Sequence, residues 1–174
     1  MGLFSNLFPK KATAAVQPQP VQMPEEKKTK YIVKSQRFIL DNVKDHMEDI
    51  MDIVEKNEDY KMKEKAFIEE HEEKEKVYEY ELNERATINT ISSEGGTEQL
   101  QVFVCNTHVG DIKKGGISKV KNLLKKGNIE NIWAEVSGGK YKEVTIWDNE
   151  ETVLDTEKPF SITIEITYKE EITE

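Results

Sequence analysis

The chain is poor in the residues that most chemistry at a protein surface depends on. Its one cysteine, Cys105, rules out an internal disulfide framework. One cysteine and three scattered histidines, His46, His71 and His108, rule out a zinc finger or ribbon. No apolar run approaches the roughly 18 residues that a membrane-spanning helix needs, and there is no secretory h-region, so a cytoplasmic chain without stable membrane insertion is expected. G-x-x-x-x-G-K-[ST], H-E-x-x-H and G-x-S-x-G are all missing. Nothing points to a catalytic residue, a metal or a cofactor, and the expectation is a protein that is not an enzyme.

Proline is also scarce, and unevenly placed. Four of the five prolines (Pro9, Pro18, Pro20, Pro24) fall in the first 24 of 174 residues. Residues 1–29 therefore read as a disordered, proline-rich tail, and 30–174 as one domain. The tail opens with Leu3, Phe4, Leu7 and Phe8 at helical spacing. That spacing would suit a surface anchor, but a single turn of helix is marginal alone, and a frayed terminus is the plainer reading. Gly2 is present, yet Asn6 stands where a myristoylation signal needs Ser or Thr.

What the sequence has in abundance is charge: 34% of residues, net −9, against 36% hydrophobic. Residues 1–30 hold five lysines and two glutamates, a net +3, which leaves −12 on the rest. Such a balance argues against a generic nucleic-acid coat. Within the domain, Leu40, Val43, Met47, Ile50, Met51 and Val54 recur three or four residues apart, which predicts a helix over about 37–56. Asn57 to Tyr60 breaks it. A second helix over about 61–73 turns Met62, Ala66 and Phe67 inward and leaves His71 solvated among glutamates. From Val77 the period becomes two, with Tyr78, Tyr80 and Leu82 alternating with glutamates. Strands are further expected at about 86–91, 100–105, 108–112, 130–136, 141–146 and 162–168, with Asn106-Thr107 and Gly138-Gly139 as turns. A helix over about 116–126 stops at Gly127-Asn128. The fold class is α+β: a small antiparallel sheet or partly open OB-like barrel, an N-terminal helical segment and one crossing helix.

Acid pairs such as Glu150-Glu151 read as solvated charge. Cys105 reads as a buried structural thiol, although His108 is near enough across a turn for contact to be conceivable. One stretch opposes the global charge. From Lys113 to Lys126 there are six lysines and no acid, opening on Gly115-Gly116 at a helix N-terminus. Backbone N–H groups and lysines there suit an anion; the bland alternative is a solvated face that balances acidic neighbours.

The run HVGDIKKGGISKVKNLLKKGNIENIWAEVSGGKYKEV, from His108 to Val144, resembles the second half of a HIRAN domain. The segment from Asp41 to Leu82 is similar to a helical insertion in a bacterial subset of that family, with Asn57-Glu58-Asp59-Tyr60 matching an N-x-D-Y motif and Tyr78-Glu79-Tyr80 a Tyr-x-Tyr strand start. The resemblance spans about 31–168. It implies an OB-like barrel with added helices and a non-catalytic module that binds single-stranded DNA at a 3′ end. The chain departs from the family in one loop. Where an Asn-Pro-Tyr-Asp type sequence is usual, ISSEGGTEQLQVFV stands instead, and Asp111 replaces an aromatic or His after Gly110. The expected function is thus weak binding of single-stranded nucleic acid through Lys113, Lys114, Lys119, Lys121 and Tyr141. A protein partner on the retained scaffold is the alternative.

Overall fold

A computed structural model describes residues 30–92, 96 and 98–172. The tail over 1–29 and part of the loop over 93–97 lie outside these. The chain runs through β1 (Lys30–Asp41), a 3-10 turn (Val43–His46), α1 (Met47–Met51), β2 (Glu55–Lys56), a second 3-10 turn (Asp59–Lys61) and α2 (Glu64–Glu70). Then come β3 (Val77–Tyr78), β4 (Tyr80–Glu81), β5 (Asn83–Ser92), β6 (Glu98–Val104) and β7 (Thr107–Ile112). A third 3-10 turn (Lys114–Gly116) leads into α3 (Ile117–Lys126), followed by β8 (Ile129–Val136), β9 (Gly139–Trp147), β10 (Glu150–Lys158) and β11 (Ile162–Ile172).

Six strands close a barrel in the order β1-β11-β8-β5-β6-β7, and every neighbouring pair is antiparallel. The α+β expectation holds, but the barrel is closed rather than partly open. Closure rests on a short seam, in which Leu40 pairs with Ile112 and Asp41 with Asp111. Alternation along the strands sends Leu100, Val102, Val104, Val109, Ala134, Ile162, Ile164 and Ile166 inward, all essentially without solvent. Each large aliphatic among them contributes roughly 1.5–3 kcal/mol by leaving water. Val120 and Leu123 of α3 and Ile50 of α1 join the same core.

The seam tolerates only glycine at one position. Gly110 has φ +144, and a Cβ there would lie 2.7 Å from the carbonyl oxygen of Asp41. Its backbone approaches β1 closely because no side chain intervenes. Gly138 plays a similar part at the β8–β9 turn, where a Cβ would meet the Pro159 oxygen at 2.1 Å.

Two smaller sheets sit outside the barrel: β10-β9-β3, and β2-β4. Phe67, Val77 and Val144 form a second buried cluster with Tyr60, Met62, Ile68 and Val153 around it. This cluster packs α2 against the three-stranded sheet. Lys142 Nζ donates to the carbonyl oxygens of Tyr60 at 2.6 Å and Met62 at 3.3 Å, which satisfies the end of the preceding turn.

Several expectations need correction. No helix spans 37–56. Residues 37–41 complete β1, and helical backbone covers only Val43 to Met51. Leu40, Val43 and Ile50 are buried as the spacing implied, but the chain reverses between the first two at Asn42, which holds φ 60. Asparagine is one of the few residues that enters this left-handed region readily. The domain therefore begins with a strand, not a helical segment. Ala66 is exposed, so Phe67 carries the inward face of α2, with Ile68 and, just before the helix, Met62 packed beside it. His71 is mostly covered, not solvated: its side chain is 10% exposed, its ring lies 4.5 Å from that of Phe67, and Nδ1 is 3.3 Å from Glu75. Cys105 is exposed, not buried. It and Asn106 form the two-residue β6–β7 turn with φ 49 and 67, the sign that a type I′ hairpin requires at both positions. The turn thus falls one residue earlier than expected. The acids at Glu150 and Glu151 begin a nine-residue strand.

Candidate nucleic-acid interface

α3 presents its apolar stripe to the barrel and its lysines to solvent, as the alternation of Val120 and Leu123 with Lys119, Lys121 and Lys125 dictates. Gly127 ends it with φ 68. Most of the predicted cations around it already have company. Lys113 Nζ is 3.7 Å from Asp41. Lys121 donates to Glu98 and holds that carboxyl below its usual range, first through the hydrogen bond and then through charge. Lys119 Nζ lies 6.0 Å from the centre of the Phe38 ring. Lys114 borders a cavity of about 410 Å³ at the start of α3, together with Asp41, Glu98 and Asp111. Three carboxylates face one lysine there, a poor balance for a phosphate.

Beside that cavity is a polar cluster. Asn42 Nδ2 donates to Asp111 Oδ2 at 2.7 Å, and His108 Nε2 is 3.0 Å from Asp111 Oδ1 and 3.1 Å from the Gly110 oxygen. Both partners are acceptors, which places the proton of a neutral imidazole on Nε2. The His108 ring lies between Phe103 (5.0 Å, 23° between planes) and His46 (3.9 Å, 46°). Cys105 takes no part in this group. The cluster ties β1 to β7 where the barrel closes, and its chemistry is that of a structural clamp.

Tyr141 is elsewhere. It belongs to the three-stranded sheet, paired with Tyr78 on one side and Thr156 on the other, and no described contact joins it to Lys113, Lys114, Lys119 or Lys121. Its companions are different. The Tyr78 and Tyr141 rings are 5.6 Å apart. Lys76 Nζ lies 4.9 Å from the Tyr141 centroid, and Lys158 Nζ lies 5.0 Å and 5.8 Å from those of Tyr78 and Tyr141. Glu143 is 3.9 Å from Lys76 and is the nearby counter-charge. This grouping of two aromatics and two cations comes from three strands, β3 and β10 flanking β9, with Lys76 just before β3. Sequence reasoning found Tyr141 but missed Lys76 and Lys158. The only local signal was the Tyr-x-Tyr of Tyr78 and Tyr80 following Lys76.

No family model, curated protein or solved structure matches the chain. Among the described residues, no group of three His, Cys, Asp or Glu is placed to hold a metal ion. None of the described helices is long and apolar enough to cross a membrane.

Proposed function

We propose that this chain is a non-catalytic, HIRAN-like binding module with an OB-like barrel, and that it binds single-stranded nucleic acid weakly in the cytoplasm. The observation that carries the reading is the pairing of Tyr78 and Tyr141 with Lys76 and Lys158. Binding without sequence preference needs aromatic faces for bases and cations for phosphates in one place. The lysines now rest over the rings. Such a contact is worth about 0.5–1 kcal/mol at an exposed site, while stacking of a base on an aromatic is worth about 1–3 kcal/mol. A base would therefore displace the ammonium groups, which are then free to meet the flanking phosphates.

The lysines on and before α3 add a second, purely electrostatic surface. Lys113 and Lys121 are tied to Asp41 and Glu98, so their contribution is small and sensitive to salt. The net charge of −9 opposes the ligand throughout.

The experiment is a titration of a fluorescently labelled single strand, with its 3′ end free and then phosphorylated, at low and physiological salt. The expected result is weak binding that is equal for both ends and fades with salt, because the end-gripping loop of the family has been replaced. Tight binding that disappears when the 3′ end is blocked would overturn it. A protein partner is the second reading. It is favoured by the exposed apolar residues Ile146, Trp147 and Leu154 on β9 and β10.

A further inference from the structure

The β9–β10 hairpin carries a block of charge opposite to that of α3. From Glu143 to Glu157 the chain has six acids (Glu143, Asp148, Glu150, Glu151, Asp155, Glu157) and no lysine or arginine. From Lys113 to Lys126 it has six lysines and no acid. The hairpin turns at Asp148 and Asn149, with φ 55 and 65. Its register then places Trp147 opposite Glu150 and Ile146 opposite Glu151. At this tip Trp147 is 77% exposed and Ile146 54%. An indole so far in water, ringed by carboxylates, is what a docking anchor looks like before its partner arrives.

The two blocks do not satisfy each other within one chain. The hairpin belongs to the β10-β9-β3 sheet, α3 packs on the barrel, and no described contact links them. Two hairpin acids are engaged locally, Glu143 with Lys76 and Asp155 with the Tyr60 hydroxyl. No described ion pair involves Asp148, Glu150 or Glu151 at the tip. The same is true of Lys114, Lys125 and Lys126 on the other surface, where the half-buried Ile117 and Leu124 offer apolar area beside the lysines.

We propose that the hairpin tip of one copy docks on the lysine face of α3 in a second copy. The partner is a second copy because both complementary surfaces lie on this chain. Between two molecules of net −9, attraction has to come from such local matching, since the overall field is repulsive. If both hairpins engage at once, the contact closes a two-fold dimer; a single engagement continues head to tail.

Sedimentation of the full chain over a range of concentrations up to about 0.1 mM tests this. At low salt the average mass should rise above 20.1 kDa with concentration. At about 1 M salt, where the Debye length is about 3 Å, it should return to the monomer. Trp147→Ser should weaken association about tenfold or more, and this largely exposed site should leave folding intact. Glu150→Lys with Glu151→Lys, and separately Lys125→Glu with Lys126→Glu, should each stay monomeric, while an equimolar mixture of the two variants should associate again. A monomer at low salt at every concentration would overturn the proposal. So would self-association that survives both high salt and Trp147→Ser, or a mixture that stays monomeric.

Discussion

Asn42 Nδ2 donates to Asp111 Oδ2 at 2.7 Å across the one place where β1 meets β7. The bond joins a residue in left-handed backbone, φ 60, to an aspartate only 8% exposed. Barrel closure thus depends on a turn residue and on a buried acid, not only on apolar packing.

Asn42→Ala should lower stability by about 1–3 kcal/mol, because it strands part of a buried acceptor and puts a Cβ-bearing residue with no polar arm in left-handed backbone. Asn42→Gly should cost less, since only the hydrogen bond is lost and the backbone is at ease. Urea midpoints of the two variants check this. Equal losses would mean that backbone strain at the seam is negligible.

Ile164→Asp should prevent folding. Ile164 is fully buried, paired with Phe38 on one side and Ala134 on the other, and an unpaired carboxylate there has no compensating partner. Circular dichroism and a thermal melt decide it. A soluble variant with a cooperative transition would contradict the inward assignment of β11.

Tyr60 gives a pH signature. Burial first, and its hydrogen bond to Asp155 next, push its hydroxyl from 10.0 up to about 12. The folded chain therefore holds that proton more tightly than the unfolded one. The associated stability is intact below about pH 10 and is lost as pH rises toward 12. Phenolate absorbance should show a late ionisation step toward pH 12 that Tyr60→Phe removes. An alkaline titration that Tyr60→Phe leaves unchanged at its upper end would contradict the contact.

Much of the barrel was legible because its strands alternate cleanly. β11 places Ile162, Ile164, Ile166 and Tyr168 on one side, and β6, β8 and α3 carry comparable patterns. The outset of the domain was not legible, because Leu40, Val43, Met47 and Ile50 are spaced as on a helix while Asn42 turns the backbone between strand and 3-10 turn. β10 was hidden by its acids: it is an edge strand, where charged residues guard against unwanted pairing. The candidate site was half legible. Tyr141 stood out as an aromatic, but its neighbours Lys76 and Lys158 reach it only through strand pairing, which no local pattern announces. The lysine run was conspicuous in sequence, but two of its members, Lys113 and Lys121, are paired with Asp41 and Glu98 in the fold.

The central proposal is that nucleic acid is held chiefly at the Tyr78–Tyr141 face, with only a small share at α3. Affinity for a labelled single strand at low salt, measured for the unaltered chain, Tyr141→Ala and Lys113→Glu with Lys114→Glu, tests it most directly. Tyr141→Ala should weaken binding about tenfold, the share expected of one stacking ring, while the double lysine change should alter it only slightly. Loss of binding on the lysine change with Tyr141→Ala unaffected would contradict the account and return the site to α3.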